Sequence, residues 1–330
     1  MRQSICLGVL SAILCVLLPF GAALALPAGA DAPAHAAEGT EPAGAGVKAT
    51  DTPLQPGFDE GFHLCIEQDG QCVETDLQTY LTGVVLAELP ASFEPEAKRA
   101  QAVASRTYAL RRCANPRHGQ AAVCTNPACC QAWVDPASAD PDAAEAARLA
   151  VSDTDGMVIL YDGALIDATF FSCSGGMTEQ AAAVWGSDVP YLQAVASPGE
   201  QDAAHDHDEL CVPLADFKAA ILAEAPEADL SGPPQSWAGA LSATPGGGVA
   251  TLELGGVPFT GQTLRRLFGL RSTAFTLKLS EDGAVFQTRG YGHRVGLSQY
   301  GANAMALDGH SWQQILQWYY QGVELGPYPG

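Results

Sequence analysis

Between Asp76 and Arg112 the apolar residues keep a helical period twice over, and this pair of segments limits the fold more than any other feature. Leu77, Tyr80, Leu81, Val84 and Val85 lie on one face of a first helix. That helix should stop at Glu88-Leu89-Pro90, because proline restricts the residue before it. A second helix starts near Pro95, which suits a first turn, and is expected to reach about Arg112. Its face of Ala97, Ala100, Gln101, Ala104 and Tyr108 is small enough for close helix packing.

Strand signals surround this pair. Gln68-Asp69-Gly70 is a hairpin turn signal between His63–Ile66 and Gln71–Val73. It sets Cys65 near Cys72, either as a cross-strand disulfide or as two free thiols. A helix over Ala143–Val151 precedes strands at Gly156–Tyr161 and Leu165–Phe171. Later come a helix at Leu214–Glu224 and strands at Val249–Leu254, Ala274–Leu279 and Ala284–Thr288. The last helix starts at Ser311 with Gln314 three residues on, a capping box. The pattern predicts an α+β fold, one globular domain over residues 57–330.

Residues 1–26 are an apolar run ending in small residues, either a cleaved signal peptide or a membrane anchor, so the chain is expected to be exported with an N-terminal membrane contact. Residues 27–56, rich in Ala, Pro and Gly without apolar period, read as a flexible linker. With 16 Lys+Arg against 37 Asp+Glu and a net charge of −21, no nucleic-acid partner is expected. Of ten cysteines, Cys6 and Cys15 fall in the leader, too few being left for a disulfide scaffold of this size.

Four constellations could carry chemistry. Glu88 sits in the last turn of a helix, where the macrodipole disfavours negative charge and raises a carboxyl pKa, as a general acid requires; a solvated helix-end glutamate is the bland alternative. His118, Cys124, Cys129 and Cys130 lie within thirteen positions and suit a tetrahedral, structural zinc; disulfides are the alternative in an exported chain. The turn Phe171-Ser172-Cys173-Ser174-Gly175-Gly176, followed by Trp185 and Tyr191, suits stacking on sugar rings, or is a tight turn with core aromatics. The glycine loop Gly290–Gly301 carries His293 at its rim and Gln299, and its spacing misses a phosphate cradle. His205, His207 and Asp208 read as a solvated acidic loop.

Seven stretches, in order over about residues 78–325, together resemble the stage II sporulation protein D family, which includes the amidase-enhancer domains. They are Tyr80–Pro90, Ala100–Ala109, Ser172–Gly176, Val184-Trp185-Gly186, Pro190-Tyr191-Leu192, Leu270–Thr273 and Gly292–Ala302. The resemblance implies a lytic transglycosylase that cuts stem-peptide-free peptidoglycan glycan strands, with Glu88 as catalytic residue. It brings Arg106 and Tyr191 into a substrate cleft, to which Ser174, His293 and Gln299 add expected contacts. The run His118-x5-Cys124-x5-Cys130 before Gln131-Ala132-Trp133 resembles the zinc site of the sporulation branch. That branch tends to have histidine where this chain has Cys129, and often lysine where it has Gln193. The implied setting is the outer face of the membrane around an engulfed forespore, with a cell-wall amidase as partner. The rival implied by the same family is a non-catalytic, glycan-binding amidase enhancer.

Overall fold

The structure is a computed structural model that describes residues 57–330 apart from Asp202 and His205. The expected leader and linker, 1–26 and 27–56, lie outside the described residues, as does His205 of the acidic loop. Among the described residues no helix is long and apolar enough to cross a membrane.

A one-turn helix, α1 (Phe58–Gly61), leads into the hairpin of β1 (His63–Gln68) and β2 (Gln71–Asp76). Asp69 and Gly70 both take positive φ, 52° and 79°, the two-residue turn whose twist matches that of the flanking strands. Cys65 and Cys72 are disulfide-bonded with their Cα atoms 5.5 Å apart, so of the two expected alternatives the bond is the one found.

In α2 (Leu77–Glu88) the Asp76 side chain accepts from the Thr79 N–H, and all five residues of the expected apolar face are buried. The helix ends where Leu89 turns extended before Pro90. Pro95 opens α3 (Pro95–Ala114), which runs two residues past its expected end. Its Ala97, Ala100 and Ala104 are almost wholly inaccessible, and their small size suits the close packing of α3 against its neighbours, α2 among them. After α3, β3 (Val123–Cys124) joins β1 in parallel, and α4 (Pro141–Ser152) covers α2 and α3.

The expected second strand after Gly156–Tyr161 divides. β4 (Met157–Tyr161) pairs with β5 (Ala164–Leu165), whereas β6 (Phe170–Phe171) leaves that sheet after a turn at Asp167–Thr169. A short helix, α5 (Ala181–Trp185), follows.

A second lobe occupies residues 207–289 with its own apolar core around Phe217, Trp237, Leu254 and Phe286. It contains β7 (His207–Val212), α6 (Leu214–Glu224), β8 (Ala238–Ala243), β9 (Val249–Leu254), β10 (Val257–Thr260), α7 (Gly261–Phe268), β11 (Ala274–Ser280) and β12 (Gly283–Arg289). The strands form two three-stranded sheets, β11-β12-β7 and β10-β9-β8. The acidic stretch expected to be a loop is in fact β7. Its half-buried Asp208, Leu210 and Val212 alternate with exposed His207, Glu209 and Cys211, a period too polar to be read from sequence. The lobe is fastened to the first core through Glu179, which is buried with Arg294 at 3.2 Å and also accepts from the N–H groups of Gly246 and Gly248 in the β8–β9 hairpin.

The chain then returns to the first core. β13 (Leu297–Ser298) pairs in parallel with β6, α8 (Gln299–Leu307) and α9 (Trp312–Tyr319) pack on α3, and β14 (Glu324–Pro327) pairs with β4. The Ser311–Gln314 capping box is formed at the start of α9. Helices and several small sheets share each core, an α+β architecture as expected.

Candidate active site

The four expected metal ligands converge. Ligand atoms of His118, Cys124, Cys129 and Cys130 all lie within 4.8 Å of one another. His118 Nε2 is 3.3 Å from Cys130 Sγ and 3.5 Å from Cys129 Sγ. Tetrahedral zinc at ordinary bond lengths separates its nitrogen and sulfur ligands by about 3.6 Å, so these residues fit the ion. The backbone explains the convergence. Cys124 is fixed by the pairing of β3 with β1, and the Asn126 carbonyl accepts from the N–H groups of both Cys129 and Cys130, turning the chain back.

The three residues after the cluster dock on α2. Gln131 Oε1 accepts from the Tyr80 hydroxyl at 2.9 Å. The Ala132 N–H donates to Glu88 Oε1 at 2.7 Å. The Trp133 indole and the Val134 carbonyl press on Gly83, where a Cβ would stand 2.2 Å from Trp133 Nε1 and 2.5 Å from the Val134 oxygen. Only glycine admits that approach.

Glu88 receives its second donor from the far end of the sequence, since Gln299 Nε2 lies 3.3 Å from Glu88 Oε2. Gln299 is the first residue of α8, whose N-cap is Ser298, and β13 holds that N-terminus beside β6. The crossing is close enough that a Cβ on Gly296 would fall 2.2 Å from the Thr169 carbonyl oxygen. Burial pushes the Glu88 carboxyl above its ordinary range, against the opposing pull of the Ala132 N–H and the Gln299 amide. The direction is the one expected from sequence, but burial drives it in place of the helix end. Glu88 stays half-buried, with exposed Ala87 and Pro90 on either side.

The other expected contacts are each engaged with partners other than this carboxyl. Arg106, expected in the cleft, is wholly buried against Asp59, with its Nε 2.8 Å from Asp59 Oδ1. Its remaining N–H groups go to Asp59, Thr154 Oγ1 and the carbonyls of Val151 and Met157. This partner sits 47 residues upstream in α1, and no local signal in the sequence links the two. Ser174 is likewise buried, its hydroxyl donating to Glu200 at 2.7 Å. His293 is a wedge between the rings of Phe171 and Trp185, at centroid distances of 5.6 and 5.3 Å. Its Nδ1 accepts from the Val295 N–H, and burial lowers its pKa to about 4, so the ring is neutral. The Tyr191 ring lies tilted against that of Tyr161, centroids 5.4 Å apart, and its hydroxyl oxygen accepts from the Asp167 N–H at 3.0 Å. Gln193 turns back on the Val189 carbonyl. Trp185 is 47% exposed above the His293 ring.

Two groups on Glu88 or its partner escaped sequence reading. The Ala132 contact is a backbone amide and carries no side-chain signal. Gln101, read only as part of a helix face, has its Oε1 3.4 Å from Gln299 Nε2. A groove of about 600 Å³ across the β11-β12-β7 sheet, lined by His207, Glu209, Gln287 and Arg289 among others, contains none of the expected site residues.

Residues 67–161, which include Glu88 and the candidate ligands His118, Cys124, Cys129 and Cys130, match a family described as Stage II sporulation protein. Over 260 residues the chain is 34% identical to Stage II sporulation protein D of Bacillus subtilis (strain 168), spanning 76% of this chain and 74% of that protein. The chain belongs to the stage II sporulation protein D family. Another relative in this family, from Bacillus amyloliquefaciens, is 35% identical over the same share of each chain. The amidase enhancer of Bacillus subtilis (strain 168) is 28% identical over 299 residues, spanning 75% of this chain and 40% of that protein. Within the family's pattern, Gln299 lies beyond the matched 67–161 segment, and only folding returns it to Glu88.

Proposed function

We propose that this family member is a lytic transglycosylase of the peptidoglycan wall, acting on stem-peptide-free glycan strands during sporulation. The observation that carries the reading is one half-buried carboxyl with a raised pKa and one hydrogen-bond donor on each oxygen. Among the described residues, no neighbouring carboxylate contributes to its shift. Ordinary glycosidases use two carboxylates, one to protonate the leaving oxygen and a second to act as nucleophile or to activate water. A single carboxyl suffices when the sugar supplies its own nucleophile.

In the first half of the reaction neutral Glu88, favoured by burial, protonates the glycosidic oxygen leaving C1 of N-acetylmuramic acid. In the second half the carboxylate takes the proton of that sugar's C6 hydroxyl, whose oxygen closes on C1. The product is a 1,6-anhydro end, no water is consumed, and Glu88 regains its proton. The Ala132 N–H and the Gln299 amide stabilise the carboxylate between the two steps. Trp185 offers an exposed ring for a sugar face. His118, Cys124, Cys129 and Cys130 would hold zinc in a closed, structural site with no position for water, and their role is to set the loop that carries Ala132. Export, an N-terminal membrane contact and a wall amidase that strips the stem peptides complete the reading.

Mass spectrometry of stripped glycan strands incubated with the chain and with Glu88→Gln tests it. Anhydro-ended fragments, one water lighter than hydrolysis products and absent with the variant, are expected. Intact strands that bind the protein would instead favour the amidase-enhancer reading, to which the 28% identical relative gives weight.

A further inference from the structure

The ionised Glu88 of the second half of the reaction only accepts hydrogen bonds, so the face that Gln299 turns toward it in that state is its NH2 group. Gln299 Nε2 has two protons to place and two acceptors in reach, Glu88 Oε2 at 3.3 Å and Gln101 Oε1 at 3.4 Å. Gln101 can offer its oxygen there only if its own NH2 points the other way. It does so, with Nε2 3.0 Å from Ser105 Oγ, one turn along α3. Gln101 is 1% exposed and Ser105 is inaccessible, so water does not compete for these bonds. Turning the Gln101 amide over would set NH2 against NH2, and turning Gln299 over would set its oxygen against the carboxylate. The orientations therefore follow from Glu88, which takes the NH2 of Gln299, to Gln299, which takes the oxygen of Gln101, and Ser105 Oγ accepts from the NH2 that is left.

We propose that Gln101 is a positioning residue that fixes the amide of Gln299 with its N–H groups toward Glu88. The proposal rests on Glu88 acting as acid and base, and Gln101 touches neither substrate nor the reacting atoms. Losing one hydrogen bond to a charged group slows a step by roughly tenfold.

The test compares Gln101→Met, Gln299→Met and the double variant of the full chain on stripped glycan strands. It also follows the side-chain amide NMR signal of Gln299, assigned by its loss in Gln299→Met. Gln101→Met is expected to lower kcat about tenfold with KM within about twofold, the double variant to be no slower than Gln299→Met, and the Gln299 amide signal to shift. A purely space-filling Gln101 would instead give losses that multiply in the double variant and leave the Gln299 signal in place, which overturns the proposal. Should Gln101→Met fail to fold, Gln101→Leu, which likewise removes the Oε1 acceptor and keeps an apolar side chain of similar size, carries the same expectations. If Glu88→Gln retains turnover, the catalytic reading fails, and the Gln299 signal in Gln101→Met still decides whether Gln101 orients that amide.

Discussion

Gln299 Nε2 stands 3.3 Å from Glu88 Oε2 across 211 residues of sequence. The Ala132 N–H meets the other oxygen of the same carboxyl at 2.7 Å. Glu88 is thus held from two sides by groups that belong to different parts of the chain, the loop behind the His118–Cys130 cluster and the start of α8. Each donor favours the ionised form, and burial opposes both.

This balance has a consequence for stability. Because burial raises the Glu88 pKa, the folded chain holds that proton more tightly than the unfolded chain. The stability linked to it is fully present below the unfolded pKa and is lost as pH rises through the folded pKa. Glu88→Gln removes the titration. The melting temperature of the wild type should therefore fall relative to Glu88→Gln as pH is raised from about 4 to about 8. Thermal scans across that range check it, and a difference that does not change with pH would contradict a raised Glu88.

Arg106 is expected to matter for folding and not for substrate. Replacing it with methionine leaves Asp59 buried without its counter-ion, a change worth about 3–5 kcal/mol when a buried pair loses one partner. Urea unfolding of Arg106→Met should show a loss of that size, while the KM of the molecules that remain folded stays close to wild type. Unchanged stability with a raised KM would return Arg106 to the substrate.

The cluster of His118, Cys124, Cys129 and Cys130 should bind about one zinc per chain by elemental analysis, and Cys124→Ala should abolish it. Without a cation, burial holds the Cys124 thiol up at about 12, so binding zinc must release protons. Chelation is expected to lower the melting temperature and to slow turnover together, because the loop that carries the Ala132 N–H follows the ligands directly. Full activity in metal-free protein would separate the cluster from Glu88.

Gly83→Ala should cost about 1–3 kcal/mol, since its methyl group meets Trp133 and the Val134 carbonyl at distances no real contact allows. The strain falls on the Trp133–Val134 loop rather than on the helix, where alanine is otherwise the better residue. Circular dichroism should show helix content preserved, and tryptophan fluorescence should report a displaced Trp133. An undisturbed spectrum with unchanged stability would mean that the loop does not seat on α2 as described.

The helix pair was legible because its signals are local. Leu77, Tyr80, Leu81, Val84 and Val85 repeat at the helical period, Pro90 stops one helix and Pro95 starts the next, and both ends stand where they were expected to within two residues. The Asp69-Gly70 turn was legible for the same reason, as its φ values are a property of those two residues. β7 was not, because its alternation of polar residues against Leu210 and Val212 gains meaning only when β12 supplies a partner.

The sequence by itself determined the residue types of the site. Glu88 at a helix end, a histidine and three cysteines in one loop, and a glycine-rich segment carrying Gln299 are all written in short range. The tertiary structure alone decided which of them meet. It took Arg106 out of the expected cleft by burying it against Asp59, sealed Ser174 on Glu200, and brought Ala132 and Gln299 to the two oxygens of Glu88. The physical reason is that charge pairing and amide orientation depend on what stands opposite in space, and burial makes the wrong partner costly. Neither quantity is carried by any one stretch of chain.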